Sequence, residues 1–183
     1  MNPSDPRRTR GGRVVIGAAF AAAVVSLAPA SHAAPAPVAA SASSAATSFV
    51  RVARPARVAA GDVLIATVTA RAPAGARVGA PSGWRQIRRD TCIAPGRLPL
   101  TQALYVRVAT TSEPAATRWT VRSARGIAAG VAAYRGVDTA RPVRAAAGRW
   151  SRNTTRVAAP SVSHDANAVV ASFFGRSARG GMV

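Results

Sequence analysis

The chain has 183 residues and a net charge of +19, from 25 basic side chains against six acidic ones. A single cysteine rules out an intrachain disulfide, and two histidines leave too few ligands for a metal centre of the His and Cys type. Every basic residue is arginine, beside abundant Ala, Gly, Pro and Val, so part of the charge follows the codon usage of a GC-rich genome and does not by itself specify a partner.

Residues 1–33 have the order of an export signal. Arg7, Arg8, Arg10 and Arg13 form a basic start, Val14 to Leu27 is an apolar run of 14 residues, and Pro29 precedes the small-residue site Ser31-His32-Ala33. The run falls short of the roughly 20 residues that a membrane span needs, so cleavage after Ala33 is expected, with no membrane segment left behind. Arg7-Arg8 raises twin-arginine export, but Pro6 and Arg10-Gly11 stand where such signals carry Ser or Thr and apolar residues, which favours the general secretory route. The 150 residues that remain suffice for one domain with a core and carry 21 arginines against five acids, or +16.

The segment 34–47 is Ala, Pro and Ser with little else and reads as a flexible tether, so the folded domain is expected over 48–183. From Pro55 onward no stretch between successive Gly or Pro residues exceeds 14 residues, which favours short strands over helices despite the alanine content. Val63 to Ala70, β-branched throughout, reads as an interior strand. In Gln102 to Val108 the alternation puts Leu104, Val106 and Val108 inward and Tyr105 and Arg107 outward; in Thr117 to Val121 it puts Trp119 and Val121 inward. Ile127 to Tyr134 and Ala168 to Phe174 are apolar on both faces and read as strands buried on both sides. Turn signals separate these runs at Ala80-Pro81-Ser82-Gly83, Ala94-Pro95-Gly96, Glu113-Pro114, Arg135-Gly136 and Ser151-Arg152-Asn153. An all-β antiparallel sandwich, jelly-roll-like, is the expected fold.

Several short motifs stand in a fixed order: Gly61-Asp62-Val63-Leu64-Ile65-Ala66, Ala80-Pro81-Ser82-Gly83-Trp84, Gln102-Ala103-Leu104-Tyr105 with Val108-Ala109, Ser112-Glu113-Pro114, Trp119-Thr120, and Ala133-Tyr134-Arg135-Gly136-Val137-Asp138. From about Phe49 onward the chain resembles a family of secreted bacterial β-sandwich modules with no assigned activity. The resemblance implies a fold and an extracellular setting, and it carries no catalytic or ligand residues with it. It also implies further strands beyond the part matching Phe173-Phe174-Gly175, so either the sandwich is a C-terminally shortened variant or the gene product is truncated.

The residues that carry chemistry are few. After the signal only Asp62, Asp90, Glu113, Asp138 and Asp165 are acidic, and no pair of them is marked as the two carboxylates a glycosidase holds across a sugar. Asp62 beside Gly61 and Glu113 beside Pro114 read as turn residues. His164-Asp165, with Ser161 or Ser163, suggests a hydrolase triad, but neighbours on a strand point to opposite faces and no Gly-x-Ser-x-Gly elbow exists. Asn153-Thr154-Thr155 fits a glycosylation pattern and reads as a polar turn, and Arg179-Gly180-Gly181 as a glycine-rich end. No calcium loop, nucleotide loop or cofactor motif is present. Cys92 is expected to be buried and inert, and the scattered arginines form no ladder with aromatics of the kind that single-stranded nucleic acid requires.

The pattern therefore points to an exported, non-catalytic binding or adhesion module without a cofactor, whose partner is a glycan or an anionic cell-envelope polymer and not a specific nucleic acid. Flat aromatic faces suit sugars and planar guanidinium groups suit anions. The candidate ligand-binding residues are Trp150 in its polar stretch, Tyr105 and Arg107 on the outward face of their strand, and Arg135 and Asp138 around the Gly136 turn. The competing readings are a secreted hydrolase or its accessory domain, and a structural spacer with nonspecific polyanion affinity.

Overall fold

Eight strands and no helix make up the residues that the computed structural model describes, 34–151, 156–165 and 167–176. The expected export signal and its cleavage site at Ala33, the Asn153-Thr154-Thr155 turn and the Arg179-Gly180-Gly181 end lie outside the described residues. No helix among the described residues is long and apolar enough to cross a membrane. The strands are β1 (Ala36–Ala45), β2 (Phe49–Ala53), β3 (Val63–Arg71), β4 (Val78–Gly79), β5 (Arg85–Cys92), β6 (Leu100–Val108), β7 (Ala116–Val121) and β8 (Gly126–Arg135). All pairings are antiparallel, and they build a five-stranded sheet in the order β1-β8-β3-β6-β5 and a three-stranded sheet in the order β2-β7-β4.

The two sheets pack face to face, as alternating side chains dictate. Leu64, Ala66 and Val68 of β3 and Ile127, Ala129 and Val131 of β8 meet Val50 and Val52 of β2 and Trp119 and Val121 of β7. At the centre Trp119 lies edge-on to Trp84, with ring centroids 5.1 Å apart, and 5.0 Å from Tyr105. The turn signals close as tight turns: Trp84 N donates to Pro81 O with Gly83 at φ +81°, and Arg97 N donates to Ala94 O with Gly96 at φ +66°. Both glycines occupy the left-handed region that side chains avoid.

The larger sheet is covered on its other face as well. Val63 and Ile65 of β3, Val106 of β6 and Tyr134 of β8 form a second core with Val137 and Ala171, and Val143, Val169 and Phe173 pack around it. The described residues after β8 thus run as an irregular strap over the outer face, tied where Gln102 Nε2, which also donates to Thr67 Oγ1, donates to Phe173 O, both at 3.3 Å.

Three expectations are corrected. The Ala/Pro/Ser segment is not a tether: residues 36–45 form β1, paired with β8 from Ala36↔Arg135 to Ala45↔Ile127 with a bulge at Pro37/Ala39. The folded unit therefore includes residues 36–45 and does not begin near residue 48. In β6 the faces are reversed, since Tyr105 points between the sheets while Leu104, Val106 and Val108 lie on the outer face, which is apolar because the strap covers it. Finally, Ala168 to Phe174 is extended strap with one isolated bridge at Val169 rather than a sheet strand.

Candidate functional site

Among the described residues a recess lies on the outer face of the five-stranded sheet, between the strap and the edge strand. Its floor is Asp90 and Cys92 of β5 with Leu100, Gln102 and Leu104 of β6, and its walls are strap residues 147–151, 157–160 and 172–175. Register explains the floor: Asp90 pairs with Gln102 and Cys92 with Leu100, so these side chains share one face. The recess holds about 150 Å³, below the ~300 Å³ at which small-molecule pockets usually begin. Among the described residues it is a small, partly open groove.

Two contacts fix the walls. Arg88 grips Asp90 through two hydrogen bonds of 2.6 Å, and Gly148 sits so tightly on this pair that a Cβ there would lie 2.4 Å from Asp90 Oδ2 and 2.6 Å from Arg88 Nε. Asp90 in turn raises the pKa of the Arg88 guanidinium, mainly through that hydrogen bond. At the other wall Gly175 lies on Thr69, where a Cβ would come within 2.9 Å of the threonine side chain. The lip between them carries Arg149 and two exposed apolar side chains, Trp150 at 51 % and Val157 at 54 % exposure.

Of the five candidate ligand residues, Trp150 alone belongs to this groove. Tyr105 is buried at 3 % exposure in the main core, its hydroxyl donating to Gln86 Oε1 at 3.3 Å; burial raises its pKa, against the lowering effect of the Arg89 charge. Arg107 is committed to Glu113 at 2.9 Å and to the carbonyl of Ser82 at 3.0 Å. Arg135 spans the carboxylate of Asp62 with two bonds of 2.8 Å and also donates to Arg57 O at 3.1 Å. Asp138 accepts from Ala140 N at 2.9 Å, the local turn bond that its place after Gly136 suggests. Sequence reasoning missed Gln102, Asp90 and Cys92 as groove residues. Cys92 is partly exposed in the groove and not buried, because it ends an edge strand.

The carboxylates are occupied in the same way. Asp62, with 2 % of its surface exposed, accepts from Ala59 N at 2.8 Å as well as from Arg135. Burial pushes its carboxyl up, but the Arg135 hydrogen bonds, the Ala59 N–H and the guanidinium charge outweigh burial and hold it below the usual carboxylate range. Glu113 accepts from Thr110 N at 2.9 Å as well as from Arg107, which makes it the turn acceptor expected. Asp165 faces Arg144 at 3.7 Å, and His164 Nδ1 lies 3.0 Å from the backbone carbonyl of Asp165 rather than from its carboxylate. Among the described residues no group of three His, Cys, Asp or Glu side chains is placed to hold a metal ion.

Compared with models of known protein families, with curated proteins and with solved structures, the chain matches none.

Proposed function

We propose that the chain is an exported, non-catalytic binding module that holds a glycan or an acidic envelope polymer along the groove beside β5. The observation that carries this reading is Trp150, half exposed on the lip next to Arg149, above a floor whose polar groups are the Gln102 amide and Asp90. An exposed indole supplies a flat apolar face for a sugar ring, and the neighbouring guanidinium supplies a donor fork for hydroxyl or carboxylate groups. A small, partly open groove suits one segment of a polymer better than a small molecule that must be enclosed. The engagement of all five carboxylates in ion pairs or turns supports a binding role over acid–base catalysis. Export and the extracellular setting belong to the same proposal and rest on the pattern of residues 1–33.

The test is retention of the chain cleaved after Ala33 on a panel of insoluble neutral and acidic polysaccharides at two salt concentrations. Selective retention that survives the higher salt supports the groove. Retention that is equal on every acidic matrix and vanishes with salt would instead establish nonspecific polyanion affinity.

A further inference from the structure

The three-stranded sheet turns its other face to solvent, on the side of the molecule away from the groove. β2, β7 and β4 contain no acidic residue, and their register sets Arg51 directly opposite Arg118. Both are exposed. Like charges facing each other across an antiparallel pair destabilise it. The five carboxylates after residue 33 are engaged elsewhere, Asp62 with Arg135, Asp90 with Arg88, Glu113 with Arg107, Asp165 with Arg144 and Asp138 in its turn. Among the described residues neither Arg51 nor Arg118 lies within an ion pair. Arg118 instead leans onto the ring of Phe49, with its guanidinium carbon 4.4 Å from the centroid. The Val78↔Val121 pairing places two more exposed arginines, Arg77 and Arg122, at one end of the same small sheet.

We propose that this face binds the sulfate or phosphate ester groups of an acidic polysaccharide, with one tetrahedral oxyanion held between Arg51 and Arg118. An oxyanion there converts the repulsive pair into two charge-assisted contacts. The face has one aromatic, Phe49, already partly covered by Arg118, so it lacks the succession of stacking rings by which single-stranded nucleic acid is held. That favours a sugar ester over a nucleotide. The site is independent of the groove and stands or falls without Trp150.

The experiment measures binding of the chain from Ala34 onward to heparin, as the sulfated probe, across a salt series. Arg51→Gln with Arg118→Gln is expected to weaken binding about tenfold or more and to lower the salt slope by about two, one for each lost contact. Arg97→Gln with Arg125→Gln removes the same charge from loops elsewhere and is expected to weaken it less than about threefold. Free sulfate, compared with chloride at equal ionic strength, is expected to raise the thermal midpoint of the wild type by more than that of the Arg51/Arg118 variant, the common part of the rise being sulfate's general stabilisation of folded protein. That second readout also shows that the variant is folded. Equal losses in the two double variants, or no heparin binding, overturns the site. Tighter binding of single-stranded DNA through the same two arginines overturns the assignment to a saccharide. The Arg51/Arg118 variant is expected to keep the wild-type retention on a neutral insoluble polysaccharide, so failure here is distinct from failure of the groove.

Discussion

Neighbouring positions in β1 should respond oppositely to the same substitution. Ser43 pairs with Ala129, which is 3 % exposed in the main core, whereas Ala42 is exposed and pairs with Gly130 on the outer face. Arginine at 43 forces a long stem between the sheets and strips water from a guanidinium, and overpacking alone costs about 1–3 kcal/mol. Because Ser43 keeps some exposure, the charged tip escapes partly along the strand edge, and Ser43→Arg is expected to cost about 2 kcal/mol in all. Ala42→Arg is expected to change stability by less than about 0.5 kcal/mol. Urea unfolding followed by tryptophan fluorescence measures both, with the slope checked for constancy so that the midpoint reports stability. A flexible tether tolerates both substitutions and a strand discriminates by parity. Equal midpoints for the two variants would refute the strand and restore a tether over 34–47.

Further perturbations probe the core, the buried carboxylate and the groove wall. Trp119 Nε1 donates to Thr117 Oγ1 at 3.1 Å, while the buried Trp84 Nε1 has no partner among the described residues, so Trp119→Phe should destabilise more than Trp84→Phe. Matching losses in urea unfolding would contradict the central placement of Trp119. Asp62 has a lowered pKa when folded, so its contribution is complete above the ordinary carboxylate value of about 4 and disappears as pH falls through the lowered one. Asp62→Asn should therefore be less stable than wild type at pH 7 and approach it near pH 2; a gap independent of pH would count against the Asp62–Arg135 pair. Gly148→Ala meets the Arg88–Asp90 pair and should lift residues 147–150 from β5, visible as faster amide exchange there and in β5. Unchanged exchange would show that this wall is not held by that contact.

What the sequence reveals of this fold follows from which residues carry contrast. β7 is legible because Trp119 and Val121 alternate with Arg118 and Thr120, and β3 because its β-branched run is buried on both faces. β1 is hidden: Ala39, Ser41, Ser43 and Ala45 turn inward while Ala40, Ala42 and Ser44 face solvent, and Ala and Ser differ too little to show it. β6 misleads because Leu104, Val106 and Val108 are apolar for the sake of the strap, a covering that only the tertiary structure supplies. At the site the same limit applies. Trp150 is recognisable from its polar surroundings, but the pairing of Arg107 with Glu113 and of Arg135 with Asp62 joins residues distant in the chain or across a loop, and Gln102 becomes a groove residue only through its register with Asp90.

The groove reading is tested most directly by Trp150→Ala on an insoluble polysaccharide that retains the wild type, with unfolding midpoints measured for both proteins. Truncation of a central aromatic contact is expected to cost about 2 kcal/mol or more of binding, a loss of about thirtyfold, in a variant that still unfolds in one cooperative transition. The variant should pass through the matrix while remaining folded. Full retention of a folded Trp150→Ala variant would contradict the groove as the binding site.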